Sequence, residues 1–172
     1  MRAVTSMGDK MDQNMQAGLQ ALVDGPLQAY TVADPVGGMK RLMRATATNV
    51  AFSAAGDSLF PVSASTHGSA NDQGQKVRLP TNFIVAVTPT SVYAFKWRNR
   101  YSKVRIKKEL LRIPREGLKV KVRSKGTATY FGLVAEPTGT AFAFEMVTMG
   151  FAAAKAKVEQ IVTALAPETV PS

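Results

Sequence analysis

Residues 119–125 read Lys-Val-Lys-Val-Arg-Ser-Lys, with apolar and polar positions in strict alternation. A period of two is the signature of a β-strand, whose successive side chains point to opposite faces. Val120 and Val122 then face a core, and Lys119, Lys121, Arg123 and Lys125 face the other way. Residues 103–107, Lys-Val-Arg-Ile-Lys, repeat the pattern. If the two strands lie in one sheet, they present one cationic face. Like charges opposite each other across strands cost roughly a few tenths to 1 kcal/mol per pair. Selection for stability alone would mix in Glu or Thr, so the face reads as a site. The competing readings are protection of a sheet edge by lysines and a device for solubility.

The charge balance sharpens this. The chain has 172 residues, with 22 Lys and Arg against 12 Asp and Glu, a formal charge of +10. Thirteen of the cations lie between Lys96 and Lys125, where the only acids are Glu109 and Glu116. That segment carries the whole basic excess, and the other residues together are close to neutral. A local field of this kind attracts polyanions and anionic surfaces. The connection 96–103, Lys-Trp-Arg-Asn-Arg-Tyr-Ser-Lys, adds the only Trp and a Tyr to four cations. Aromatic and basic residues together suit a membrane headgroup layer or a nucleic-acid strand. Trp97 also continues the apolar alternation Tyr93, Phe95, so a core position is an equal reading. The expected contact residues are Lys96, Arg98, Arg100, Tyr101, Lys103, Arg105, Lys107, Lys119, Lys121 and Arg123.

Apolar residues make up 45% of the chain and charged residues 20%, which fits one folded domain with a core. No run of 18 apolar residues is present, and no apolar segment of a secretory signal follows Arg2. The expectation is a cytoplasmic protein, with peripheral attachment to a membrane as an extension of it.

Catalysis finds little support. The chain has no cysteine and a single histidine, His67, so cysteine nucleophiles, thiolate metal sites and histidine clusters are excluded. No phosphate loop, dinucleotide turn or nucleophile elbow occurs. Asp24, Asp34, Asp57, Asp72, Glu109, Glu116, Glu136 and Glu145 are scattered, without the helical spacing of metal ligands. Glu145, alternating with Phe144 and Met146, is expected at the surface. The reading is a binding protein with no catalytic residue, no cofactor and no metal.

Along the chain, residues 1–10 form a loose start. Met11, Met15, Leu19, Leu22 and Val23 recur at helical spacing until Gly25-Pro26. Leu27 to Ala33 reads weakly as a strand. Residues 39–54 carry a helical stripe (Met39, Leu42, Met43, Val50), with a strand as the competing reading. Residues 11–56 thus form an N-terminal helical segment, available for self-association into a homo-oligomer. A polar loop occupies 57–78. The sheet signal fills 79–166, with strands near 83–87, 92–97, 103–108, 118–124, 127–135 and 140–147 joined by short turns. A final helix follows, capped by Thr148, with Phe151, Ala154, Val158, Ile161 and Leu165 in one stripe. A tail occupies 167–172.

The run Phe83-Ile84-Val85-Ala86-Val87-Thr88-Pro89-Thr90-Ser91-Val92-Tyr93-Ala94-Phe95, a strand, a Thr-led turn and a strand, resembles a hairpin of the bacterial pleckstrin-homology-like (PH-like) domain family. Leu111-Arg112-Ile113-Pro114-Arg115-Glu116-Gly117-Leu118 is similar to the family's lead into a later strand. The closing helix to Leu165 agrees in order. The resemblance spans about residues 81–165. It implies an α+β fold: a bent antiparallel sheet or partly open barrel, capped by the C-terminal helix, with an N-terminal helical extension. Phosphoinositide-binding members of the wider superfamily use a Lys on one strand and a Lys/Arg-x-Arg on the next, and Lys96 with Lys103-Val104-Arg105 has that form. The implied partner is an anionic membrane surface or an acidic protein, with nucleic acid as the alternative.

Overall fold

The computed structural model describes residues 7–36, 79–100, 103–136, 140–148 and 152–166. The fold is α+β: a seven-stranded antiparallel sheet that does not close, with one helix before it and one after it. The elements are α1 (Met7–Gln20), β1 (Ala29–Pro35), β2 (Phe83–Val87), β3 (Ser91–Arg100), β4 (Lys103–Pro114), β5 (Leu118–Lys125), β6 (Ala128–Ala135), β7 (Thr140–Val147) and α2 (Ala152–Leu165). The strand order is β4-β3-β2-β1-β7-β6-β5. β1 pairs with β2 over Ala29–Ala33 and with β7 through Asp34 and Pro35. β4 touches β7, four places away in that order, so the sheet curls back on itself. The weak strand expected over Leu27 to Ala33 is present as β1, but it belongs to the sheet rather than to an N-terminal helical segment: it is the central strand, paired with β2 some fifty residues further along. The expected helix or strand over 39–54 and the loop 57–78 fall outside the described residues.

Alternation along β2 builds two cores. Phe83, Val85 and Val87 join the larger, with Phe131, Leu133, Phe142 and Phe144 of the later strands and Ile161 and Leu165 of α2. Phe131 and Phe144 stack with ring centroids 4.7 Å apart. Ile84 and Ala86 face the other way, into a smaller core with Tyr30, Tyr93, Phe95 and the α1 residues Met15, Leu19 and Val23. A strand buried on both faces reads as a continuous apolar run rather than an alternating one, as 83–87 does. The α1 stripe is as expected except for Leu22, which is 48% exposed. The hairpin between β2 and β3 is held by Thr88, whose amide and hydroxyl both donate to the Ser91 carbonyl, at 2.9 and 3.1 Å. The Thr148 hydroxyl donates to the Thr127 carbonyl at 3.0 Å, and residues 149–151, between it and Ala152–Leu165, lie outside the described residues, so the expected cap falls outside them too.

Tyr30 joins the two helices. Its hydroxyl donates to the Asp12 carbonyl at 3.2 Å, and Lys157 of α2 lies 4.2 Å above its ring. Burial, with the nearby Asp12 adding to it, holds the phenol well above its ordinary value of 10.0. An unfolded chain loses this proton near that ordinary value while the native chain keeps it. The associated stability is therefore whole below about pH 10 and falls as pH rises further. Denaturant titrations at pH 9 and pH 11 check this. Wild type is expected to lose more stability over that interval than Tyr30→Phe, and equal losses would refute the assignment.

Candidate functional site

β2 pairs with β3 only over Val92–Phe95. Past Phe95, β3 pairs only with β4, so Lys96–Arg100 and Lys103–Lys108 form a two-stranded ribbon that extends beyond β2. A two-stranded ribbon alone is marginal in water. Here α1 supports one face: Trp97, Val104 and Ile106 pack on the core of Met15 and Leu19. The Asn99 amide donates to the Met11 sulfur at 3.6 Å. Gly18 lets helix and ribbon approach closely, since a Cβ there would lie 3.1 Å from Ile106 Cδ1. Trp97 is thus a half-buried core residue, as the alternation with Phe95 implies, and not part of an exposed aromatic loop.

The opposite face of the ribbon is cationic. The register sets Lys96 opposite Lys108, Arg98 opposite Arg105 and Arg100 opposite Lys103. All six are exposed, and among the described residues none forms an ion pair with an acid. The three rungs span about 14 Å along the strands, at two residues per rung, and about 5 Å across. Each rung opposes folding by about a few tenths of a kcal/mol, since exposure screens the repulsion.

Two irregularities in β4 create this arrangement. The register shifts between Ala94 and Phe95, and again between Lys96 and Trp97. The second shift leaves Lys107 outside the pairing and gives its place to Lys108. A bulge of this kind re-aims side chains relative to strict alternation. Lys107 is exposed but is not a rung, and Lys108 was missing from the expected contact set. A period-two count carries no sign of a bulge, although the pair Lys107-Lys108 does break the alternation.

The single face shared by 103–107 and 119–125 is not what the structure shows. β4 and β5 are the two edges of the sheet. On β4, Val104 and Ile106 face the smaller core, so Lys103 and Arg105 stand on the side of the larger one. On β5, Leu118 and Val120 face the larger core, so Lys119, Lys121 and Arg123 stand on the other side. Lys119 is also neutralised by Glu136 at 2.7 Å, and Lys121 is half-buried. Arg123 is exposed opposite Tyr130. Tyr101 lies outside the described residues. The structure therefore brings together Lys96, Arg98, Arg100, Lys103 and Arg105, with Lys107 beside them, and leaves the β5 cations apart.

Cations nearer the base of β4 have structural partners. Arg112 donates to Asp24 at 2.7 Å and to Glu109 at 3.0 Å, and lies 4.9 Å above the Tyr93 ring. The Glu109 hydrogen bond is the main cause that raises its already high pKa. Arg115 donates to Gln28 at 2.8 Å and to the Ala166 carbonyl at the end of α2 at 3.1 Å. Glu145 is 3% exposed rather than a surface carboxylate. Its neighbours on either side are Asp34 of β1 and Tyr130 of β6, so it lies mid-sheet. Burial, with Glu145 adding to it, raises the Tyr130 pKa.

Among the described residues no group of three or more His, Cys, Asp or Glu is arranged to hold a metal, and no helix is long and apolar enough to cross a membrane. The chain matches no protein-family model, and comparison with curated proteins and with solved structures returns no match.

Proposed function

We propose that this chain is a non-catalytic PH-like binding module that docks on anionic membrane surfaces through the β3–β4 ribbon. The observation that carries the reading is the stack of three directly opposed cation pairs on a face with no acid among the described residues. Such pairs oppose folding, and an anionic surface turns that cost into affinity: each basic residue near an anionic leaflet contributes about 1 kcal/mol. The order of seven antiparallel strands followed by a helix supports the PH-like part of the proposal.

A lipid surface is favoured over an acidic protein because protein interfaces centre on apolar anchors. Among the described residues, the exposed large apolar ones, Leu22, Val32, Val122 and Val162, are scattered, and none lies on the ribbon. It is favoured over nucleic acid because Trp97, the aromatic residue in the described ribbon, packs on α1 and offers no stacking platform.

Co-sedimentation with vesicles tests this. Vesicles of phosphatidylglycerol in phosphatidylcholine are expected to retain the protein at 0.1 M salt and release it as salt rises. Pure phosphatidylcholine is expected not to retain it. Equal partitioning to both vesicles, or tight binding to a short oligonucleotide with none to vesicles, overturns the reading.

A further inference from the structure

Resting on that docking reading, we infer that α1 is a positioning helix for the ribbon, and that Gly18 and Ile106 set the seating on which docking depends. The cationic rungs are interleaved with two others, Trp97 opposite Ile106 and Asn99 opposite Val104. Alternation turns these two toward α1. Trp97, Val104 and Ile106 pack on the core of Met15 and Leu19, and the Asn99 amide donates to the Met11 sulfur. The helix is in turn fixed to the body of the fold. The Asp12 carbonyl accepts from the Tyr30 hydroxyl, and the Asp12 carboxylate lies 3.5 Å from Lys157 of α2. Just past the helix, Asp24 pairs with Arg112 at 2.7 Å, and its amide donates to the Tyr93 hydroxyl at 3.2 Å.

The need for such a strut lies in the ribbon's own charge. Three like-charge rungs push the two strands apart, and β2 does not pair with β3 beyond Phe95. The attraction of a leaflet fades within a Debye length, about 10 Å at 0.1 M salt, which is shorter than the ribbon. All three rungs therefore gain from the leaflet only when the ribbon is held along it. A helix that holds it beforehand lowers the ordering cost of binding. Glycine inside a helix is unfavourable relative to alanine. At position 18 the ribbon explains it, because a Cβ there would lie 3.1 Å from Ile106 Cδ1, a tight contact.

The test uses the whole protein, vesicles of phosphatidylglycerol in phosphatidylcholine, and the emission of Trp97, the only tryptophan in the chain. Gly18→Leu overfills the contact and Ile106→Ala empties it. Neither changes a charge, so the surface electrostatics stay those of wild type. Gly18→Leu is expected to shift Trp97 emission to the red and to weaken vesicle affinity about ten-fold, with the thermal melt still cooperative. Ile106→Ala, the milder change, is expected to weaken affinity about three-fold. The double variant refills the space from the helix side. It is expected to restore the emission and to bring affinity back to within about two-fold of wild type. Affinity equal to wild type in Ile106→Ala overturns the inference, even where Gly18→Leu does not fold. Unmoved emission in a folded Gly18→Leu, or a folded double variant that fails to recover, overturns it as well. In each of these cases wild type still binds, and the docking reading stands. No retention of wild type on these vesicles overturns the docking reading itself, and the inference with it.

Discussion

Arg98→Glu combined with Arg100→Glu is expected to abolish retention on phosphatidylglycerol vesicles while leaving the fold as stable as wild type or slightly more so. The two effects have opposite signs for one physical reason. Each reversal removes an attraction of about 1 kcal/mol to an anionic leaflet and adds a repulsion of similar size. The affinity therefore falls by roughly a hundred- to a thousand-fold. Within the ribbon the same changes set one carboxylate opposite Arg105 and another opposite Lys103, in place of two like-charge pairs. Opposite charges across strands stabilise by up to about 1 kcal/mol per pair relative to a neutral pair. Exposure discounts this to a few tenths. Vesicle co-sedimentation and a thermal melt on the same preparation read both quantities. A variant that is less stable and binds weakly would show only that the ribbon had unfolded. A variant that is stable and still binds would remove the ribbon from the docking surface. Lys119→Glu is the matched control, because Lys119 already answers Glu136. It is expected to leave vesicle binding nearly unchanged and to cost a little stability.

The parts of this site that were legible in the sequence are those set by local period. The cations of β3 and the first half of β4 alternate with Trp97, Val104 and Ile106, and that alternation places them opposite a packed face. The helical spacing of Met15, Leu19 and Val23 likewise identifies the face of α1 that covers the ribbon. What stayed hidden depends on long-range pairing. Ala29–Pro35 is a short, weakly patterned segment, and only its pairing with β2 and β7 makes it the centre of the sheet. Lys119 looks equivalent to Lys103 by period, yet Glu136 lies 17 residues further on and is brought beside it by the β5–β6 pairing. Alternation correctly puts Glu145 on the face opposite Phe144, but does not reveal that this face is covered. Lys108 became a rung through a bulge, which shifts parity without changing composition.

Replacement of Gly117 by Ala is expected to be strongly destabilising, and its effect falls on the scaffold rather than on docking. Gly117 joins β4 to β5 at a φ of +66°, a left-handed conformation that costs an L side chain roughly 1–2 kcal/mol. Gly126, between β5 and β6, has a similar φ of +60°. The two glycines differ in their surroundings. A Cβ on Gly126 would meet nothing within 4 Å, whereas one on Gly117 would overlap the backbone carbonyl of Glu136. That carbonyl cannot swing aside as a side chain would. The Glu136 amide donates to the Gly117 carbonyl at 3.2 Å, which locks the end of β6 to the turn. The Gly126→Ala variant should lose about 1 kcal/mol, partly offset by the lower entropy of its unfolded chain. The Gly117→Ala variant carries the same strain, must also part the turn from β6, and should lose about 3 kcal/mol or more. For a chain of this size that is a fall in melting temperature of roughly 6–12 °C, against roughly 2–4 °C for Gly126→Ala. The ribbon lies at the other end of β4, so vesicle retention below the melt should persist in both variants. Equal melting shifts for the two glycines would mean that left-handed strain alone matters and that the close approach to Glu136 is not part of the native turn.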